Sequence, residues 1–382
     1  MYRIFSILES ALTSASISIL WLLVSILIII NIDTSNAMAN TVNIVEIVPH
    51  RSPDYGVNQE LNQINLGVEV AYEDFTNQYG QQCKCRLNKI IDHGTEDELY
   101  RTIKKIAVNM TTDDNSYKKR VIVGISRTNF ARLAANAASR TSLLGISMGA
   151  ATTKLREINP NFVSIVSPWE KQWETIVQAM KESNCLKENT IGIFDKENIL
   201  SNNFQEAYMK SFKNPNKYWI NIATDARFSE LITNKSCIFF GTYFSLAKHY
   251  LQLLASKHWK GTVFGTGDWN YFSKEVKNTL REFPSEKIKG VIAPTGWKSN
   301  NSEKIKAFVK KLNIKRKIEI SPAAVYAYDA TIIGMATSCN LIDSRHYNYS
   351  LLKKLPLLRE YYGIASSGNY LSAMYLVDFK KE

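Results

Sequence analysis

Gly145-Ile146-Ser147-Met148-Gly149 is the stretch whose residue types most directly suggest chemistry. It matches G-x-S-x-G, in which a serine on a sharp strand-to-helix turn serves as the nucleophile of an α/β hydrolase. That chemistry needs an acid and then a histidine later in the chain, an order that Asp329 or Asp343 with His346 satisfies. No His-Gly-Gly type oxyanion loop lies upstream. The same five residues also read as a strand-to-loop turn whose small side chains let another group approach the backbone. Two arginines, Arg51 and Arg127, stand at the ends of expected strands. A guanidinium is suited to bidentate recognition of carboxylate or phosphate, so together they predict an anionic ligand.

Five cysteines, Cys83, Cys85, Cys185, Cys237 and Cys339, leave at least one free thiol or an intermolecular bond. Cys83 and Cys85 alternate on an expected strand and should point to opposite faces. Cys185 and Cys237 each precede an expected strand and can be bridged if those strands are neighbours. Neither the dispersed cysteines nor the five histidines supply a zinc set, and no metal or cofactor is expected.

The elements that must position these residues alternate between short apolar runs and longer amphipathic ones. Strands are expected over Val42–Val48, Arg86–Ile91, Val121–Val123, Ser142–Ile146, Phe162–Val166, Thr190–Phe194, Cys237–Phe240, Thr262–Phe264, Gly290–Ala293 and the tail Tyr370–Phe379. Between them the spacing predicts helices, among them Leu61–Tyr79, Phe130–Ser139, Trp169–Ser183, Leu246–Lys257 and Ala323–Ser338. Such alternation implies βαβ units and parallel sheets covered on both faces. With 382 residues, two lobes are expected. Candidate boundaries fall at Ser164–Pro168, Ala293–Asn301 and Leu355–Gly363. Two lobes joined by more than one crossing would hold a ligand in the crevice between them, where strand ends face the gap.

Between Glu9 and Asp33 the chain carries no charge, and Ala37-Met38-Ala39 follows. Arg3, the apolar run and the small-residue end read as a secretory signal with Asn40 as the first mature residue. The stretch is also long enough to span a bilayer, which leaves an uncleaved anchor as the alternative. The net charge of +12 is scattered over amphipathic helices without a basic arm or a nucleic-acid motif, so no nucleic-acid partner is expected.

Ile146-Ser147-Met148-Gly149-Ala150-Ala151-Thr152-Thr153-Lys154-Leu155 resembles the I-S-P-A-A-T-x-x-L loop of type I periplasmic binding proteins, the leucine/isoleucine/valine-binding family. Val123-Gly124-Ile125-Ser126-Arg127-Thr128 is similar to that family's I-G-P-x-x-S strand end. Gly67 to Tyr72, followed by Asn77 and Gly80, resembles its first helix, and Ala324 to Ala330 its A-x-x-A-Y-D-A helix, with Lys304 to Val309 matching the helix before it. The resemblance spans about residues 41 to 379. It implies an α/β fold of two Rossmann-like lobes with parallel-rich sheets joined by three crossovers. Lobe 1 would comprise residues 40–166 and 298–355, and lobe 2 residues 167–297 and 356–382.

The function implied is non-enzymatic capture of a small polar solute, an amino acid or related carboxylate or amide. The implied partner is the membrane permease of an ABC-type importer; the protein itself would be a monomer in the periplasm or another extracytoplasmic space, touching membrane only through residues 1–39. Thr128 stands where the family has a carboxylate-binding serine. Gly149, Ala150 and Ala151 stand on the loop that offers backbone groups and a threonine hydroxyl; here Ala151 replaces that threonine and Thr152 lies one residue late. Tyr243 matches a cleft tyrosine, Trp269 a cleft-edge position, and Asp268 or Glu230 would have to receive an amino group. A membrane-anchored sensor with the same lobes, and a serine hydrolase using Ser147, remain the competing readings.

Overall fold

The computed structural model describes residues 42–47, 57–88, 95–112, 120–152, 154–185, 189–212, 216–219, 225–270, 273–282, 287–296, 303–315, 321–343, 346, 348–372 and 374–380. The expected signal or anchor, residues 1–39, lies outside them. No helix among the described residues is long and apolar enough to cross a membrane.

Five strands form the first sheet: β1 (Val42–Ile47), β2 (Lys84–Asn88), β3 (Arg120–Val123), β4 (Leu144–Ser147) and β5 (Phe162–Ser164). Their order is β2-β1-β3-β4-β5 and every pairing is parallel. The second sheet contains β6 (Thr190–Phe194), β7 (Asn216–Trp219), β8 (Cys237–Phe240), β9 (Gly261–Phe264) and β10 (Ile288–Thr295), parallel in the order β10-β9-β8-β6-β7. A hairpin follows, β11 (Tyr361–Ile364) with β12 (Tyr370–Ser372), before β13 (Tyr375–Asp378) adds to β10 antiparallel. All residues of β6, β8 and β9 are buried, as continuous apolar runs between two helical layers require.

The first lobe is centred on helix Pro322–Ser338, in which every residue is buried. It packs along helix Val57–Tyr79, and the contact depends on Gly67: a Cβ there would stand 2.2 Å from the Ala324 carbonyl oxygen. In the second lobe an aromatic cluster of Trp173, Phe194, Phe204, Tyr208 and Phe239 fills one side of the sheet. Each such side chain contributes roughly 1.5–3 kcal/mol by leaving water.

Cys185 and Cys237 are bonded, because β6 and β8 are indeed neighbours. Cys83 bonds to Cys339 at the end of the central helix. The expected opposite facing of Cys83 and Cys85 does not hold: Cys83 precedes β2, and its sulfur lies 3.8 Å from that of Cys85, the one free cysteine.

The chain leaves lobe 1 after β5, at Ile165–Pro168, and returns between β10 and helix Glu303–Lys315, which packs on helix Val57–Tyr79. The last crossing lies between β12 and β13, later than the expected 355/356. Tyr361 and Tyr370 pack into the lobe 1 core, and Ser164 N–H donates to Gly368, so residues 356–372 stay with the first lobe. Only β13 joins the second sheet.

Candidate functional site

A cleft of about 680 Å³, open to solvent, lies where the carboxyl ends of the parallel strands of both sheets meet. The first lobe contributes Ser126, Arg127 and Thr128 after β3 and Gly149 and Ala151 after β4. The second contributes Tyr243 after β8, Gly267 and Asp268 after β9, and Pro294 and Gly296 at the end of β10. Crevices outside the carboxyl ends of open α/β sheets are the usual ligand positions of such folds.

On the first wall, helix Thr128–Ala137 begins at the cleft. Its N-cap residue Arg127 is extended and makes no side-chain cap, and the helix turns its electropositive N-terminal end to the cleft. Thr128 is the first helical residue and not a cap; it is 2% exposed and its hydroxyl has no partner among the described residues. Gly149 lets the β4 loop lie against the β3 loop, since a Cβ would fall 1.8 Å from the Ser126 carbonyl oxygen.

On the second wall, Asp268 Oδ2 accepts the Phe244 N–H at 3.1 Å, satisfying a donor of the helix Phe244–Ser256 that starts after Tyr243. Burial pushes the Asp268 carboxyl up to about 6, against the opposing pull of Arg127 and the Phe244 N–H. The Arg127 guanidinium reaches across from the first lobe and sits 5.6 Å from the centre of the Tyr243 ring. Burial, and then the Asp268 charge, push the Tyr243 phenol up to about 12, so it is neutral and a hydrogen-bond donor at physiological pH.

The floor is made by the crossovers. Ser167 belongs to the first and Gln172 to the helix Trp169–Glu182 that follows it: Gln172 Nε2 donates to the Ser167 carbonyl and its Oε1 accepts Gly267 N–H, both at 3.3 Å. Gly296 N–H donates to the Tyr326 hydroxyl, and the Arg359 guanidinium stacks 4.1 Å from the Tyr326 ring centre. Arg359 is fixed from below by Asp329 at 3.1 Å, by the Ile165 carbonyl at 2.8 Å and by the Tyr361 hydroxyl. Val166, Leu200, Pro294 and Met374 supply apolar surface.

Of the residues expected from sequence, Arg127, Thr128, Gly149, Ala151 and Tyr243 therefore line one cleft. Three others are elsewhere. Ala150 is buried in the lobe 1 core, and its carbonyl accepts from Asn369. Thr152 is buried and accepts the Lys154 N–H. Trp269 is fully buried in lobe 2 between Phe240 and Phe244, its Nε1 donating to the Thr242 carbonyl; its neighbour Asp268 faces the cleft instead. Arg51 lies outside the described residues. Glu230 is exposed and away from the cleft lining.

The G-x-S-x-G stretch proves to be packing. Ser147 is 1% exposed and its hydroxyl donates to the Ile125 carbonyl at 2.8 Å, while accepting the Ala150 N–H. A Cβ on Gly145 would enter the Phe162 ring. Asp329 is held by Leu358, Arg359 and Tyr361, and His346 pairs with Asp343 in an exposed turn, so neither serves Ser147 as the hydrolase reading requires.

Cleft residues that the sequence reading missed include Gln172, Tyr326, Arg359 and Met374. Gln172 and Arg359 lie in or beside an expected boundary and Tyr326 in the A-x-x-A-Y-D-A helix, whereas Met374 lies past the third expected boundary, beside the crossing between β12 and β13.

Two lobes with this strand order, crossed three times, match a set of solved structures. The fold is that of the type I periplasmic binding proteins. One match is the branched-chain amino acid transporter substrate-binding protein LivJ from Streptococcus pneumoniae in complex with isoleucine: TM-score 0.66, 13% identity, covering 88% of this chain and 95% of that one. Another is a branched-chain amino acid ABC transporter ligand-binding protein from Burkholderia xenovorans, with TM-score 0.67, 14% identity and coverage of 88% and 90%. A solute-binding protein of an ABC transporter from R. palustris, in complex with benzoate, gives 0.64 at 15% identity, covering 89% and 93%. No protein-family model matches the chain, and no curated protein sequence does. The likeness to type I periplasmic binding proteins is thus one of fold.

Proposed function

We propose that this protein is an exported solute-binding protein that captures a small carboxylate-bearing solute between its lobes and delivers it to the permease of an ABC-type importer. The carrying observation is the composition of the two walls. Arg127, Thr128 and an uncapped helix start face Tyr243 and Asp268 across a cleft built at strand ends. Ligands of the structural neighbours, an amino acid in one and benzoate in another, both bring a carboxylate and agree with this reading. Two disulfides favour an oxidising compartment, and so favour residues 1–39 as an export segment. The reading assigns no covalent chemistry to the protein.

The direct test is a thermal-shift screen of the purified protein against amino acids, amides, urea derivatives and small carboxylates. A true ligand at 100 times its dissociation constant raises stability by about 2.7 kcal/mol. Small-angle scattering should then show a lower radius of gyration with that ligand, as the lobes close. A screen in which no solute shifts the melting temperature would sink the proposal. Mass spectrometry of the native N-terminus tells a freely diffusing receptor, beginning at Asn40, from a tethered form that keeps residues 1–39.

A further inference from the structure

Arg127 and Asp268 come from opposite lobes, and together they fix the charge that an incoming solute meets. Asp268 is the one acidic residue among the described residues that line the cleft. One of its oxygens is taken by the Phe244 N–H, and the Arg127 charge acts on the carboxylate from across the gap. The same guanidinium lies over the Tyr243 ring, the aromatic face on which a ligand cation would otherwise rest. Asp329, buried below the floor, is taken up by four donors from Leu358, Arg359 and Tyr361, and Asp195 acts on Tyr243 without lining the cleft. An ammonium entering here would have to lie beside Arg127 and share the Asp268 carboxylate with its charge. A carboxylate meets Arg127 itself, the Thr128 hydroxyl and the helix start.

We propose that Arg127 is a specificity-determining residue: it stands as a built-in cation where a ligand ammonium would sit, and so selects carboxylates that carry no amino group and have an apolar or aromatic body. The apolar preference follows from Tyr243, Tyr326, Pro294 and Met374 on the remaining surface. The inference rests on the reading of the cleft as a solute site and narrows its ligand class.

Isothermal titration of the full chain with matched pairs tests it: 3-phenylpropanoate against phenylalanine, and 4-methylpentanoate against leucine. Each pair differs only in the ammonium. The acid without it should bind at least about 10-fold tighter, a difference of about 1.4 kcal/mol. In Arg127→Met, which keeps an aliphatic stem over Tyr243, the ratio should collapse or reverse, because Asp268 becomes available to an ammonium. In Asp268→Asn the preference for the plain acid should widen. Equal or tighter binding of the amino acids to the wild-type protein would overturn the inference and leave the solute-site reading intact. So would an unchanged ratio in a folded Arg127→Met protein. Failure of both series to bind overturns the inference too, and the solute-site reading falls with it only if the wider panel above also gives no shift.

Discussion

Thr128 and Gly149 shape the first wall of the cleft by opposite means, one through a hydroxyl and one through the lack of a side chain. Thr128→Val keeps the volume and removes the hydroxyl; ligand affinity should fall about 5- to 10-fold with little change in melting temperature, the size of one hydrogen bond. Gly149→Ala forces a methyl onto the Ser126 carbonyl oxygen. It should both lower the melting temperature and abolish binding, read by calorimetry and titration. Asp268 yields a pH signature. The unfolded carboxyl titrates near 4 and the folded one at about 6, so between those values the folded chain holds more protons. Stability therefore falls as pH rises through that window, by on the order of 1–3 kcal/mol, and the Asp268→Asn protein should lack that part of the slope in denaturant titrations. Arg127 was named because it follows an apolar strand whose end is easy to place, whereas Thr128 and Tyr243 came from the family resemblance. Trp269 was misread by one residue: it sits in a 3-10 turn, Gly267–Asn270, where neither the strand nor the helix period tells which side chain faces inward.

At the scale of elements, periodicity found most strands and helices to within a few residues, since burial on both sheet faces writes continuous apolar runs. It missed β7 and helix Asp225–Ile232, whose sequences NKYW and DARFSELI are too short and polar to carry a period, and also β11 and helix Ser273–Glu282. Helix Pro322–Ser338 was expected over Ala323–Ser338, although it gives almost no amphipathic signal because it is buried all round. Gly67→Leu, on the helix packed against it, should cost at least about 1–3 kcal/mol by forcing the pair apart. The cysteine cluster was half legible: strand adjacency explains Cys185–Cys237, whereas Cys83–Cys339 joins residues 256 positions apart. A non-reduced tryptic digest separates Cys83 from Cys85 at Lys84. It should show Cys83 linked to Cys339 and Cys85 alkylated only slowly, since burial raises its thiol pKa.

Beneath the cleft, Asp329 and Arg359 tie distant parts of the chain into the first lobe. Asp329 is on the central helix of lobe 1, Ile165 at the start of the first crossing and Arg359 before the β11–β12 hairpin, so one ion pair with its carbonyl contact gathers three separate segments under the cleft. Asp329→Asn leaves Arg359 charged, buried and unbalanced; a loss of about 3–5 kcal/mol in a denaturant melt is expected. Sequence did not reveal this knot, because its members lie up to 194 residues apart and no local pattern records the contact. The three crossings also bear on how such a protein changes over generations. Neither lobe is one stretch of gene, and β13 returns to the second sheet after the chain has left it for the first lobe. A single recombination breakpoint between two relatives therefore mixes both walls of the cleft and cannot exchange one lobe intact. Ligand preference in this architecture has to shift by substitution at individual wall positions such as 127 and 268, with the scaffold inherited whole.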